Sequence, residues 1–232
     1  MTILLIHGSP RPNGCSSNIA RDIASKMKAD KILEINLQKE NLPYCVGCLN
    51  CVKKGIEFCP HKDQTVEMEE KMLEADLIII STPVYILHMS GQLKTFIDHF
   101  PSLFLMHRPQ KAMFNKSLII VATAAGPVYK QTLKEIEMSF IQFGISKIYK
   151  LGFAVAAQSY KDISEKKLKE INKECDKTIK KVKKNFNKNK VKMKIKFYFF
   201  IYRMVQKRTP TSEADTKYWK KYDWYNKGRP WK

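Results

Sequence analysis

Five short aliphatic runs, each followed by a stretch with helical spacing, constrain this 232-residue chain more than any other feature. The runs are Ile3–Ile6, Lys31–Leu37, Leu77–Ile80, Leu118–Ala122 and Ile145–Val155. After the first, apolar residues recur at Ile19, Ala20, Ile23, Ala24 and Met27, which is helical spacing over Asn18–Lys28. Thr65–Glu74, Gly91–Phe100, Gln131–Phe143 and Ser164–Asn185 repeat the pattern, the last as a long basic helix. Strand–helix alternation of this kind predicts an α/β domain, a parallel sheet covered by helices on both faces. The solid apolar character of Leu77–Ile80 agrees, because a central parallel strand is buried on both sides.

Five strands without a long second half favour the flavodoxin-like order over a full dinucleotide-binding Rossmann domain. The predicted architecture is therefore a flavodoxin-like, doubly wound, five-stranded parallel sheet with a basic helical C-terminal extension. We expect residues 1–160 to form that domain and residues 161–232 to form a basic helix and aromatic arm. Charge divides the chain in a similar way. The net charge of +20 splits into +4 over residues 1–150 and +16 over residues 151–232. The start of the chain runs from Met1 straight into the first strand, with no leader pattern and no apolar run of bilayer length, so a cytoplasmic location is expected. There, its six cysteines would be thiols or metal ligands.

The turn after the first run, Gly8-Ser9-Pro10-Arg11-Pro12-Asn13-Gly14, leads into Ser16, Ser17 and Asn18. It offers backbone N–H groups, hydroxyls and a guanidinium at a helix N-terminus, a setting that suits a phosphate. A plain helix cap in a polar turn is the alternative reading. The loop has neither the Gly-Lys-Ser/Thr of a triphosphatase nor the G-x-G-x-x-G of a dinucleotide site. Cys15 stands there as a filler and not as a redox thiol.

Together with Ser81-Thr82-Pro83-Val84-Tyr85, with Met89-Ser90-Gly91-Gln92-Leu93-Lys94-Thr95-Phe96-Ile97-Asp98 and with Cys45-Val46-Gly47-Cys48, this loop resembles the NAD(P)H-dependent FMN reductase family of flavodoxin-like proteins. The resemblance covers the chain to about residue 155 and implies FMN, with NAD(P)H as cosubstrate. It implies a phosphate site at Ser9, Arg11, Asn13, Ser16, Ser17 and Asn18, and an isoalloxazine lying against Pro83, Val84 and Tyr85. Ala125 and Gly126, after the fourth strand, would close that pocket. Relatives of this kind commonly form homodimers, which we expect here too. Hydride chemistry belongs to the flavin, so no catalytic side-chain set is required. His7 reads as a core histidine, His88 as a helix flank and Asp98 as structural.

Cys45-x2-Cys48-x2-Cys51-x7-Cys59 follows the second strand. Within the family it resembles the iron–sulfur flavoproteins, which implies a [4Fe–4S] cluster. Two other readings stay open: an unmetallated loop with thiols or a labile disulfide, and a zinc site with His61 as a stand-in ligand. Zinc usually takes two separated ligand pairs, which this spacing fits poorly. The first functional expectation is an FMN-dependent oxidoreductase passing electrons from NAD(P)H to a quinone, nitro compound, flavin or protein. The second is an electron-transfer module working with ferredoxin-like partners. A zinc-stabilised interaction protein is the third.

From Lys180 to Arg208 the chain has twelve Lys/Arg and no acid, and Met193, Phe197, Phe200, Ile201, Met204 and Val205 share one helical stripe. Such a helix suits an arm packed on its own domain or a second subunit, and after that a peripheral contact with an anionic membrane. Nucleic acid ranks third, since no recognition motif is present. Tyr218-Trp219 and Trp224-Tyr225 indicate docking of the chain end.

Overall fold

The computed structural model describes residues 1–11, 13–186, 188 and 191–232; Pro12 of the first loop and Lys190 of the basic run lie outside them. The elements follow in the order β1 (Thr2–His7), α1 (Cys15–Met27), β2 (Lys31–Asn36), α2 (Leu37–Glu40), α3 (Asn50–Lys53), α4 (Lys62–Glu74), β3 (Leu77–Tyr85) and β4 (His88–Met89). They continue with α5 (Gly91–Asp98), α6 (Lys111–Asn115), β5 (Ser117–Ala124), α7 (Lys130–Gln142), β6 (Lys147–Ala154), α8 (Glu165–Asn185), α9 (Met193–Arg208) and α10 (Glu213–Lys221).

Five strands pair in parallel in the order β2-β1-β3-β5-β6, the flavodoxin-like arrangement, with neighbours such as Ile6 and Ile80, and Ile80 and Ile120, in register. The continuous aliphatic runs divide between two faces by strand alternation. Leu4, Ile6, Ile78, Ile80, Leu118 and Ile120 pack under Met72 of α4, Phe96 of α5 and Ile136 of α7. Ile3, Leu5, Leu77, Ile79, Ile119 and Val121 pack against Ile19 and Ile23 of α1 and Ile171, Cys175 and Ile179 of α8. The long basic helix thus shares one core with the first helix of the domain; its lysines point outward while one stripe stays apolar.

Two local differences from the sequence expectation bear on the site. Helix α1 starts at Cys15, three residues earlier than the apolar spacing indicated, because Gly14 takes the N-cap position without a side-chain cap. Strand β4 also folds back on the end of β3 as a two-residue hairpin, Val84 facing Met89 and Tyr85 facing His88.

The chain end docks on its own domain. Trp219 and Trp224 are fully buried around Phe199 of α9. The Trp219 indole donates to the His107 carbonyl at 2.5 Å, and Ile195 packs with Leu105 and Phe114.

Candidate functional site

A pocket of about 410 Å³ opens where β1, β3, β5 and β6 end. The ends of adjacent strands β1 and β3 lie where chain direction diverges to the two sides of the sheet, which is where doubly wound folds place ligands. Its polar wall is the loop into α1. The Ser9 hydroxyl accepts from the Arg11 N–H and donates to the Arg11 carbonyl, each at 3.1 Å, while the Gly14 N–H donates to that carbonyl at 3.0 Å. This curls the loop so that the first turn of α1 faces the pocket with no side-chain cap and no acid in it. A Cβ on Gly14 would stand 2.9 Å from the Ser9 hydroxyl, too close for the curl to keep its shape. Ser17 is 1% exposed and its hydroxyl has no protein partner. An uncapped, acid-free helix N-terminus with the Ser9 and Ser16 side chains on the same pocket wall fits a bound phosphate.

The apolar wall is the end of β3. Thr82 and Ser90 tie the two family-like segments together: the Ser90 N–H donates to the Thr82 hydroxyl at 3.2 Å, and the Ser90 hydroxyl accepts from the Leu93 N–H as the cap of α5. That presents Pro83, Val84 and Tyr85 to the pocket, with Tyr85 44% exposed. The hairpin tip beyond them is strained. Ile86 and Leu87 both have left-handed backbones, φ 46° and 69°, and Ile86 is 91% exposed. A β-branched residue in that region is an outlier, held here only by the tight turn.

Of the sequence candidates, Ser9, Arg11, Ser16, Pro83, Val84, Tyr85 and Ala125 line the pocket. Asn13, Ser17, Asn18 and Gly126 do not line it: the Asn18 amide donates to the Gly14 carbonyl at 3.2 Å, which holds the helix start, and Asn13 is exposed. The far wall, Val155–Gln158 after β6, carries no motif and escaped the sequence reading; the Arg11 guanidinium reaches the Gln158 carbonyl at 3.4 Å across it. Cys15 also lines the pocket, and burial raises its thiol pKa, which suits a filler. His7 is buried with its Nδ1 2.8 Å from the Ser81 hydroxyl, and burial above all lowers it to about 4, so it stays neutral in the core.

The four loop cysteines line a second concavity, with no disulfide among the described residues. Gly47 adopts φ 65°, a left-handed turn between Cys45 and Cys48. Cys51 is buried, and burial first, then the neighbouring thiolates of Cys59, Cys45 and Cys48, push its pKa up. The donors lining the concavity, four thiols with the imidazoles of His61 and His99, suit a soft-metal centre such as iron–sulfur or zinc better than a carboxylate-preferring ion.

His61 is not simply solvated. Its Nδ1 lies 3.0 Å from Nε2 of the buried His99, whose own Nδ1 must donate to the Thr95 carbonyl at 2.8 Å. His99 therefore accepts, and His61 donates through Nδ1. The ligand atoms of Cys59, His61 and His99 lie within 4.8 Å of one another. No residue lines both this concavity and the flavin-type pocket.

The loop is clamped from the C-terminal arm. Arg108 donates to the Cys51 carbonyl and, at 2.7 Å, to the Val52 carbonyl, and pairs with the fully buried Asp215 of α10 at 2.5 Å. The Ser212 hydroxyl adds a bond to the Val52 carbonyl at 3.1 Å. Beneath this clamp sits Glu69, 8% exposed, its Oε2 without a partner. Burial pushes its pKa up to about 7; the Arg108 charge opposes the shift without cancelling it. A raised acid costs stability once the unfolded chain ionises and the folded one does not. Stability should therefore fall by about 3 kcal/mol as pH rises from 4.5 to 7. Glu69→Gln should flatten that part of the urea-midpoint profile; an unchanged profile would refute the assignment.

Comparison with known proteins agrees with this geometry. The family model described as NADPH-dependent FMN reductase matches residues 1–148. An iron-sulfur flavoprotein of Archaeoglobus fulgidus is 28% identical over 170 residues, 72% of this chain and 74% of that one. An iron-sulfur flavoprotein of Methanocaldococcus jannaschii is 37% identical over 100 residues, 42% of this chain and half the length of that one. In fold, the chain is similar to an FMN-dependent NADH-azoreductase from Bacillus anthracis solved with FMN, at TM-score 0.59 and 14% identity, covering 77% of this chain and 100% of that one. Because the matched region runs from β1 to the start of β6 and carries both the curled loop and the β3 wall, the chain belongs to the NADPH-dependent FMN reductase family.

Proposed function

We propose that this protein takes hydride from NAD(P)H onto FMN held in the 410 Å³ pocket and passes the electrons to a planar, apolar acceptor of the quinone class. We further propose that Cys45, Cys48, Cys51 and Cys59 hold a [4Fe–4S] cluster. FMN and NAD(P)H are the cofactor and reductant of the family to which the chain belongs. The observation that carries the flavin site is the uncapped, acid-free start of α1, which opens on the pocket beside Ser9 and Ser16.

Bound FMN supplies two-electron hydride acceptance and one-electron release, so the protein has to position and shield it and has no proton relay to build. The first turn of α1, Ser9 and Ser16 receive the phosphate. Pro83–Tyr85 form a rigid apolar wall, fixed through Thr82 and Ser90, and Val155–Ala157 exclude water from the other side. Acceptor class follows from the mouth. Tyr85, Ile86 and Leu87 are exposed there, and their apolar edge favours a flat, weakly polar molecule over a charged one.

Exposure of Cys45 and Cys48 supports the second reading, exchange of single electrons with a ferredoxin-like protein partner. Anaerobic titration of the FMN-loaded protein separates the two. Loss of the oxidised-flavin band on adding NADH or NADPH, with turnover once a benzoquinone is present, supports the enzyme. Bleaching only by reduced ferredoxin supports the second reading, and a protein that binds no FMN refutes both.

A further inference from the structure

Helix α9 is apolar on two opposite sides. Its inner face, Ile195, Phe199, Arg203 and Gln206, is buried against the domain and the tryptophan cluster. Arg203 and Gln206 belong there because they donate to the carbonyls of Asn226, Gly228 and Met106. The outer face is a second stripe. At 100° per residue, Met193, Phe197, Phe200, Ile201 and Met204 fall within an arc of about 100° on the side away from the core. They are 75, 60, 54, 39 and 38% exposed. Five large apolar side chains in one exposed stripe form a patch that water alone does not account for.

Cations flank this stripe. Lys196, over the Trp231 ring, and Lys207 lie along one border, Lys194, over the Tyr198 ring, along the other, Arg208 within the stripe at its end, and Lys192 precedes the helix. The stretch from Lys180 to Arg208 contains no acid, and the last 82 residues carry a balance of +16. Among the described residues no helix is long and apolar enough to cross a membrane. An apolar stripe bordered by long cationic side chains, on a helix already held in place along its inner face, suits lying at a lipid–water boundary. The aromatics enter the acyl border while the lysine stems reach back to the headgroups.

The geometry points to an anionic phospholipid surface as the occupant of the outer face of α9. Charge decides against the two competing occupants. A second copy across the same face would set one acid-free basic stretch against another, and an isologous interface cannot avoid that repulsion. Nucleic acid would satisfy the cations but leave the central aliphatic stripe of Met193, Ile201 and Met204 facing phosphates. A bilayer containing acidic lipids satisfies both components at once, and because the helix is already folded and docked it loses no ordering entropy on binding.

Sedimentation of the 232-residue chain with sucrose-loaded vesicles tests this. We expect binding to phosphatidylcholine mixed with phosphatidylglycerol, little binding to phosphatidylcholine alone, and loss of binding at high salt. Each basic residue near an anionic surface multiplies partitioning about fivefold, so Lys194→Glu with Lys207→Glu should abolish it. Phe197→Ser with Phe200→Ser should weaken it at least about tenfold. Both residues are exposed, so FMN content and tryptophan fluorescence should stay as in the parent. Three results would overturn the proposal: no sedimentation with acidic vesicles, sedimentation indifferent to the Phe197/Phe200 change, or RNA binding tighter than vesicle binding and indifferent to that change. A dimer that this Phe pair holds together in light scattering would also overturn it, and would assign the face to a second copy.

Discussion

Asp215→Ala is expected to lower stability by about 3–5 kcal/mol, a large part of the total for a domain of this size. The carboxylate is fully buried and receives the Arg108 guanidinium at 2.5 Å, the Thr211 hydroxyl at 2.6 Å and the His107 ring at 2.9 Å. Burial alone would raise its pKa; the hydrogen bonds from His107 and Thr211, with the charges of His107 and Arg108, overcome that and hold it below the usual carboxylate range. A depressed acid stabilises the fold above its unfolded pKa, so this contribution is present at neutral pH and is lost as pH falls through the folded value. Alanine removes the anion but leaves Arg108, 12% exposed, held by the Cys51 and Val52 carbonyls. The cost should appear as a lower urea midpoint and as faster alkylation of Cys51, since the loop loses the anchor that orients its backbone. Asp215→Asn, which keeps the shape and one acceptor, should recover part of both. An Ala variant with the parent's midpoint would show that the ion pair contributes nothing to the fold.

That clamp was out of reach of sequence reading, and the reason is general. Sheet order, helix faces and the loop after β1 follow from periodicity and from local composition, and both are visible over a few residues. Asp215 and Arg108 are 107 positions apart, and nothing near either marks them as partners. His99 escaped for the same reason: it meets His61 across 38 positions and lies in a segment that looks like plain helix. The β4 hairpin was missed because its tip is Ile86-Leu87, with none of the Asn or Gly that usually mark a left-handed turn. Helix α9 gives the most informative disagreement. Periodicity selects its most apolar stripe, which the structure leaves outside, while the buried face contains an arginine and a glutamine. The fold accepts them because backbone carbonyls at Met106, Asn226 and Gly228 receive their donors, and hydropathy does not register that compensation.

Cys48→Ser should remove iron and acid-labile sulfide from anaerobically prepared protein and leave FMN bound at full occupancy. Serine presents a hydroxyl that stays protonated where a thiol ionises, so the proposed cluster would lose a ligand it cannot replace from the same position. Cys48 is exposed, and the change removes no core packing. FMN should be retained because the pocket proposed for it is built from β1, α1, β3, β5 and the residues after β6, and shares no lining residue with the thiol concavity. Cys175→Ser is the matching control: that thiol is buried in α8 against the sheet, burial pushes its pKa up to about 12, and it should keep both groups while losing some stability. Iron retained in Cys48→Ser would remove the quartet from the cluster reading. FMN lost together with iron would mean that the two sites, separate in their walls, depend on each other through the helices between them. In that case the flavin pocket takes its shape from the cysteine loop, and Arg108, which holds the loop's backbone, becomes the first residue to change next.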